Sequence, residues 1–227
     1  TTTTTTTTTT VDAAKTLTLT INADTVTGGS GNDTIQAAYA GTTPAATLSV
    51  GDTIDGGAGT DTIKIIKTAA IVQADVAPTG ATVTNVEIAQ LTSGADITAN
   101  ISTLTTFTSM VATSTGGAVL TAAATTDITL TDASVDTAAN DSIAINGGKN
   151  VTLTLTADDA ANDADANNEI VVGATTAAVG VVNVTHSGKY ADGGNNILST
   201  IEVNGGTTIS VTQNAGVTAA QDTSALI

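Results

Sequence analysis

Polar and apolar residues alternate along much of the chain. Leu17, Leu19 and Ile21 are separated by single threonines, and the same period-two pattern returns in residues 151–156 and 209–212. Alternation of this kind predicts β-strands with one buried face. Helical periodicity is scarce, because the two segments that show any of it, residues 69–74 and 157–168, are too short or too polar to predict a helix. The sequence therefore predicts an all-β chain.

The residues available for a core favour stacked coils over a compact sandwich. The chain has one Phe, two Tyr and no Trp, so its core must be built from small and β-branched side chains, which suit strands. A β-solenoid organises such residues in thin layers, each packed only on its neighbours. We therefore predict a parallel β-solenoid; an ordinary β-sandwich with hairpins is the alternative. The side chains expected to point inward are Ile35, Ile54, Ile63, Val151, Leu153 and Leu155.

An internal repeat supports the solenoid. Residues 142–154 and 200–212 share a pattern of strand, Asn-Gly-Gly turn and strand. Residues 170–184, which lie between these two copies, read as an intermediate copy with a degenerate turn. A repeating unit of about 30 residues follows, which is the size of one solenoid coil or a pair of short coils.

Two nonapeptides carry the chemistry that the sequence suggests. Residues 28–36 and 56–64 both read Gly-Gly-x-Gly-x-Asp-x-apolar-x, the pattern of calcium-binding parallel β-rolls. The glycines allow tight loops with accessible carbonyl oxygens, the Asp supplies a charged ligand, and the apolar residue begins a strand that faces the core. Carboxylates and carbonyls are the ligands that calcium prefers.

Two further aspartates lie in phase with the nonapeptides. Asp24 stands nine residues before Asp33, and Asp52 stands nine before Asp61. In a regular roll one turn takes two nonapeptides, so we expect loops on one edge to recur about every 18 residues, with an insertion around residues 39–47. Asp24 and Asp52 should share one edge, and Asp33 and Asp61 the other. The predicted calcium ligands are Asp24, Gly29, Gly31, Asp33, Asp52, Gly57, Gly59 and Asp61.

The acidic net charge of the chain restricts the classes of partner that it can bind. Twenty-one acidic residues oppose five basic ones, for a formal net charge of −16. Nucleic acid and anionic membranes are poor partners for such a chain, whereas divalent cations are good ones. There is no cysteine, so neither disulfides nor thiolate metal sites are available to stabilise the fold.

An enzyme is not predicted. His186 is the only histidine, and the chain has neither Cys to act as a nucleophile nor Arg to assist the acids of a polysaccharide-cleaving β-helix. Ice binding is a further class to weigh, because Thr-x-Thr arrays on flat solenoids can order water. Such pairs occur at residues 129–131 and 152–154, but they do not recur at one fixed spacing along the sequence.

Three segments are expected along the chain. Residues 1–15 form a Thr-rich low-complexity segment, either a genuine tract, a docked strand or a stand-in for residues of unassigned identity. Residues 16–66 form the calcium roll, and residues 67–227 form Thr/Ala-rich solenoid repeats. Residues 158–169 are read as an acidic loop. The sequence predicts neither a signal peptide nor a membrane span, and we expect the chain to be a segment of a longer protein.

Residues 16–100 resemble the start of the crystalline region of RTX-type surface-layer (S-layer) proteins of Gram-negative bacteria. The resemblance rests on Asn32-Asp33-Thr34, on Val50-Gly51-Asp52-Thr53, on the second nonapeptide and on Val86-Glu87. It implies type I secretion, calcium-dependent folding outside the cell and self-association into a surface lattice, with surface polysaccharide as a further partner. A calcium-binding adhesin or an extracellular filament subunit on the same solenoid is the alternative.

Overall fold

The computed structural model describes residues 11–38, 46–133, 135–136, 142–156, 158–159, 169–190 and 200–217. Almost every regular element in these residues is a β-strand, as the alternation predicts. In chain order the elements are β1 (Thr16–Thr18), β2 (Thr25–Gly29), β3 (Thr34–Ala38), β4 (Thr53–Gly57), β5 (Thr62–Lys67), α1 (Gln73–Val76), β6 (Thr82–Thr84), β7 (Ile88–Ser93), β8 (Ile97–Asn100), β9 (Ser109–Ser114), β10 (Ala118–Ala122), β11 (Asp127–Asp132), β12 (Val135–Asp136), β13 (Ile143–Gly147), β14 (Val151–Leu155), β15 (Asp158–Asp159), β16 (Glu169–Val172), β17 (Val181–Tyr190), β18 (Thr200–Val203) and β19 (Thr208–Val217).

The strands form three sheets in which every described pair is parallel. Sheet 1 follows the order β1-β3-β5-β7-β9-β11-β14-β17-β15-β12, with β19 also paired to β17; sheet 2 is β2-β4-β6; and sheet 3 is β18-β16-β13-β10-β8. The chain leaves sheet 1, passes through sheet 2 or sheet 3, and returns to the next strand of sheet 1. This is the parallel β-solenoid that the sequence predicts. We number the coils by their strands in sheet 1, so that coils 1 to 4 end at β1, β3, β5 and β7; coil 2, for example, consists of β2 and β3.

Coil length is irregular. Leu17 of β1 pairs with Ile35 of β3, and Ile35 pairs in turn with Ile63 of β5. The step from Leu17 to Ile35 equals two nonapeptides, as expected, but the step from Ile35 to Ile63 is longer, so the expected regular spacing is wrong between coils 2 and 3. The reason is the insertion predicted around residues 39–47, which lengthens coil 3 before the chain reaches β4. Residues 39–45 lie outside the described residues.

Two inward columns along sheet 1 form one side of the core, and residues of sheets 2 and 3 complete it. The first column is Ile35, Ile63, Ala89, Met110, Ile128, Val151 and Val182, and the second is Ala37, Ile65, Leu91, Ala112, Leu130, Leu153 and Val184. Every one of these side chains is buried. The six residues predicted to point inward are also all buried, with Ile54 contributed by sheet 2 and Leu155 by the end of β14.

The internal repeat is confirmed by the strand register. Ile143 pairs with Ile170 in sheet 3, and Ile170 pairs with Ile201. In sheet 1, Val151 pairs with Val182 and Val182 with Ile209. The two copies are therefore two coils apart, and the intermediate copy with the degenerate turn is the coil between them.

An outward column of threonines runs along sheet 1. In six successive strands of sheet 1, the residue that directly follows the second core column is a threonine, and it points away from the core. The column is Thr92, Thr113, Thr131, Thr154, Thr185 and Thr212, and all but Thr92 are exposed. The threonines that share no fixed sequence spacing are thus brought into register, because the insertions that vary coil length lie outside sheet 1.

The expected lack of helix and the expected segment boundary differ from the structure, and parts of two expected segments lie outside the described residues. A single helical turn, α1, begins within the segment where no helix was predicted. Sheet 1 crosses the expected boundary between residues 66 and 67 without a break, since β5 pairs with β7. Residues 1–10, and residues 160–168 of the expected acidic loop, lie outside the described residues. Within the described part of the chain, no helix is long and apolar enough to span a membrane.

Candidate cation site

The two nonapeptide loops stack on one another at the corner between sheet 2 and sheet 1. Gly29 pairs with Gly57 across β2 and β4, and the amide of Ala58 donates to the carbonyl oxygen of Gly29 at 2.6 Å. Gly57 has φ +95°, and a Cβ there would overlap the backbone of Gly29. Glycine is therefore required at this position both by the left-handed backbone and by the close approach of the next coil.

The same corner carries a column of carboxylates. The backbone N–H of Lys15 donates to Oδ1 of Asp33 at 2.6 Å, that of Asp33 to Oδ1 of Asp61 at 2.6 Å, and that of Asp61 to Oε2 of Glu87 at 2.8 Å. Each acid stands directly before a strand of sheet 1, so successive coils place the acids one above another. We call Asp33, Asp61 and Glu87 the acid column.

One oxygen of each aspartate in the column has no hydrogen-bond donor. Asp33 is 1% exposed and Asp61 is fully buried, and the Oδ2 atoms of both carboxylates are buried without a partner. An uncompensated buried carboxylate oxygen is costly. Among the described residues, these atoms are therefore the ones that most require a ligand.

Both unpaired oxygens face backbone carbonyls. A Cβ on Gly28 would overlap the carbonyl oxygen of Gly56 and Oδ2 of Asp33 together. The arrangement repeats one coil on, where a Cβ on Gly56 would overlap the carbonyl oxygen of Asn85 and come within 2.7 Å of Oδ2 of Asp61. In each gap a carboxylate oxygen and a carbonyl oxygen share the space that the glycine leaves. Two acceptors brought together need a proton or a cation between them.

The electrostatics of the column favour a positive charge. Burial raises the pKa of Asp61, the carboxylates of Asp33, Glu87 and Asp55 raise it further, and the hydrogen bond from the Asp33 amide opposes the rise. A basic group stands at the start of the column: Lys15 donates from Nζ to the carbonyl oxygen of Gly28. An ammonium group thus already occupies the first of the three stacked carbonyls, those of Gly28, Gly56 and Asn85.

Asp24 and Asp52 lie together on the opposite edge, as the sequence predicts, but their carboxylates are satisfied. The Asp24 amide donates to Oδ1 of Asp52 at 2.8 Å, and the Ser49 amide donates to Oδ2 of Asp52 at 2.6 Å. Oδ2 of Asp24 accepts a hydrogen bond from the Thr20 amide at 2.7 Å. These hydrogen bonds give both aspartates a structural role in closing their turns.

The residues of the acid column fit a hard divalent cation. Each gap offers one unpaired carboxylate oxygen and one carbonyl oxygen, which approach the same point because a glycine has no Cβ there. Oxygen donors of these types suit calcium. Within the described residues no three acidic or histidine side chains converge on one point. A cation here would therefore draw on carbonyl oxygens as much as on carboxylates. The carbonyls beside the unpaired oxygens are those of Gly56 and Asn85, not those of the expected ligands Gly29, Gly31, Gly57 and Gly59.

Two comparisons with known proteins found no match. No protein-family model matches the chain, and a search of curated proteins finds no match. The functional argument therefore rests on the geometry of the acid column and of the solenoid.

Five residues of this corner were not singled out as ligands by the sequence: Gly28 and Gly56, which open the two nonapeptides, and three residues outside them. Lys15, Asn85 and Glu87 fall outside both nonapeptides. The signal that would have found two of them is positional: Lys15 and Glu87 stand immediately before a strand of sheet 1, as Asp33 and Asp61 do. The third, Asn85, has a positive φ of 51°, which is uncommon for a residue other than glycine and is best tolerated by Asn and Asp.

Among the described residues, no serine is hydrogen-bonded to His186, whose Nδ1 lies 3.5 Å from Nε2 of Gln213. Ser114 pairs with Asp132, and its hydroxyl hydrogen-bonds to the Asp132 carboxylate. Leu155 lies between Asp132 and His186 in the strand ladder. His186 is 2% exposed, and burial lowers its pKa, so the imidazole is neutral at pH 7.

Proposed function

We propose that this chain is a structural, self-assembling protein of the bacterial cell surface, of the S-layer type, whose folding and association depend on calcium. The observation that carries the proposal is the pair of buried, unpaired carboxylate oxygens of Asp33 and Asp61, each facing a carbonyl of the next coil. Calcium bound at these positions would join successive coils and remove the like-charge repulsion along the acid column.

The distribution of charge supports assembly. The chain carries a net charge of −16, yet the two outward columns of sheet 1 that run from Gln90 to Ser210 and from Thr92 to Thr212 contain no charged residue. From Thr92 to Thr212 the outer column is threonine throughout. Neutral, repetitive faces allow like-charged chains to approach side by side, and cations bound at the corners would reduce the repulsion that remains. Secretion by a type I pathway and contact with surface polysaccharide belong to the same proposal.

The test is reversible disassembly. Excess chelator should dissociate assemblies of the chain, seen by electron microscopy and light scattering, and millimolar calcium should restore them. Sodium at equal ionic strength should not restore them, because simple screening would act similarly for any salt. Assemblies that persist unchanged in chelator would contradict the proposal and assign the contacts between chains to the strands alone.

A calcium-binding adhesin or extracellular filament subunit is the alternative on the same solenoid. Both need long repetitive β surfaces, but only a lattice closes contacts in two dimensions. Images of assemblies of the purified chain distinguish them: a sheet supports the S-layer function, whereas fibres or single particles support the alternative.

The threonine column favours one further candidate, the ordering of water at ice. Thr129 and Thr131 pair with Thr152 and Thr154, which places four hydroxyls in a rectangular array. Neighbouring strands are about 4.8 Å apart, and alternate residues of a strand about 6.7 Å. A thermal hysteresis assay decides this candidate, and replacing Thr131 and Thr154 by lysine should abolish any activity that the assay detects.

A further inference from the structure

The acid column continues one coil beyond the nonapeptides. Glu87 stands where Asp33 and Asp61 stand in the preceding coils, and its Oε2 accepts the Asp61 amide as Oδ1 of Asp61 accepts the Asp33 amide. No glycine-rich loop leads into it, because residues 84–87 read Thr-Asn-Val-Glu. The strand register and the hydrogen bonds identify this position; the nonapeptide pattern does not.

Asn85 places its carbonyl at the same point of the column as the loop glycines. Its left-handed backbone conformation, φ 51°, is held by a hydrogen bond from Nδ2 to Oδ1 of Asp55 at 2.8 Å. Oδ1 of Asp55 also accepts the Gly57 amide at 3.1 Å. The bond between Asn85 and Asp55 ties coil 4 to coil 3 at this corner. The result is that the carbonyl oxygen of Asn85 lies over Gly56 and faces Oδ2 of Asp61.

The three gaps along the column can now be compared. In the gap between coils 1 and 2, the Lys15 ammonium binds the carbonyl of Gly28. In the next two gaps, no described basic group forms an ion pair with Asp33, Asp61 or Glu87. The first carbonyl is therefore matched by an ammonium, whereas those of Gly56 and Asn85 lie beside the unpaired oxygens of Asp33 and Asp61.

We infer that Oδ2 of Asp61, the carbonyl oxygen of Asn85 and the carboxylate of Glu87 form a second divalent-cation position, between coils 3 and 4 and outside both nonapeptides. Asp61 is fully buried, and its unpaired oxygen points into this position. The inference rests on the proposed calcium dependence and extends it. Asp33 would bind an ion between coils 2 and 3, and Asp61 and Glu87 would bind one between coils 3 and 4. Between coils 1 and 2 the ammonium group of Lys15 takes the place of the ion.

The test counts calcium ions by calorimetry on the chain after chelator treatment and dialysis. The unsubstituted chain should bind two ions at this corner, and Glu87→Gln should bind one fewer. The amide of that variant keeps a side-chain oxygen for the Asp61 amide, so the ladder is retained while the charge is removed. Glu202→Gln is the matched control, because Glu202 is exposed in β18, and its count should equal that of the unsubstituted chain.

Each outcome separates this inference from the proposed function. If the unsubstituted chain binds calcium and Glu87→Gln binds as many ions, the position between coils 3 and 4 is refuted while the proposed function stands. If the unsubstituted chain binds none, the calcium part of the proposed function fails as well. Circular dichroism monitors folding, and if Glu87→Gln does not fold, Asp61→Asn replaces it with the same expected loss of one ion. An unchanged count in Asp61→Asn would also refute the position.

Discussion

The backbone N–H of Asp33 donates to Oδ1 of Asp61 at 2.6 Å, across the space between two successive coils. The bond fixes the orientation of the Asp61 carboxylate, because once Oδ1 is turned toward the preceding coil, Oδ2 must point toward Gly56 and the carbonyl of Asn85. A hydrogen bond that joins the coils therefore also creates the unpaired oxygen. Coil stacking and the unpaired oxygen are two consequences of one side-chain conformation.

Replacing Asp33 by asparagine should have opposite effects with and without calcium. The new side-chain amide keeps an oxygen for the Lys15 N–H and places an N–H₂ group opposite the Gly56 carbonyl, which turns a clash of acceptors into a hydrogen bond. In chelator, Asp33→Asn should raise the melting temperature of the chain. In calcium it should bind less of the ion and gain less stability than the unsubstituted chain does.

Asp24→Asn is the matched control for that experiment. The carboxylate of Asp24 already accepts hydrogen bonds from Thr20, so this variant should lose stability in both conditions and keep the response to calcium. The interpretation of Asp33 fails if thermal unfolding in chelator shows that Asp33→Asn is less stable than the unsubstituted chain by as much as Asp24→Asn is.

Gly57→Ala should destabilise the chain more than Gly80→Ala. Both glycines have positive φ, +95° and +87°, so both variants incur backbone strain of roughly 1–3 kcal/mol. A Cβ on Gly57 would in addition overlap the Gly29 backbone, whereas at Gly80 the nearest atom is Cγ1 of Val50 at 3.4 Å. Chemical denaturation with calcium present measures the difference, and equal losses would show that close coil stacking contributes nothing beyond strain.

The sequence specified the architecture well because its rules are local. Alternation identified the strands, and the absence of large aromatic residues favoured thin layers, so the inward positions of Ile35, Ile63 and Leu153 could be predicted. The pairing of Asp33 with Asp61 also followed from the nonapeptides. Calcium binding at this pair is the proposal that the count of bound ions tests.

What the sequence could not specify is register across coils of unequal length. The threonine column is invisible in the sequence because its members are separated by insertions that lie in other parts of the coil. Glu87 was missed as part of the acid column for the same reason: its distance from Asp61 along the chain differs from that between Asp33 and Asp61, and it follows a loop without the glycine pattern. The α1 turn was missed because a few residues contain too little periodicity to predict it.

In chelator, the first coils should become less stable as pH rises above the acid range. Asp61 has a pKa raised above its ordinary value by burial and by Asp33, Glu87 and Asp55. The folded state therefore binds a proton more tightly than the unfolded state, and the stability gained is present at low pH and lost as pH rises through the raised pKa. Hydrogen exchange of β3 and β5 measures this local effect.

Calcium and Asp61→Asn are the two controls for that dependence. The ion replaces the proton between the oxygens, so saturating calcium should remove the loss of protection at neutral pH. Asp61→Asn should flatten the profile without calcium, because the amide does not titrate. A profile that keeps its slope in Asp61→Asn would mean that other carboxylates cause it.

The later coils should show the opposite pH dependence because of His186. Its imidazole is 2% exposed, it stacks between Leu155 and Gln213, and burial lowers its pKa. The unfolded state then binds a proton near pH 6.5 while the folded state does not, so stability is full above about pH 6.5 and falls as pH drops toward the lowered pKa, by at most about 1.4 kcal/mol per pH unit. Denaturant titrations from pH 7.5 to 5 in saturating calcium isolate this effect from that of Asp61. His186→Gln should remove the dependence, and a variant with the same slope would show that the histidine is not its source.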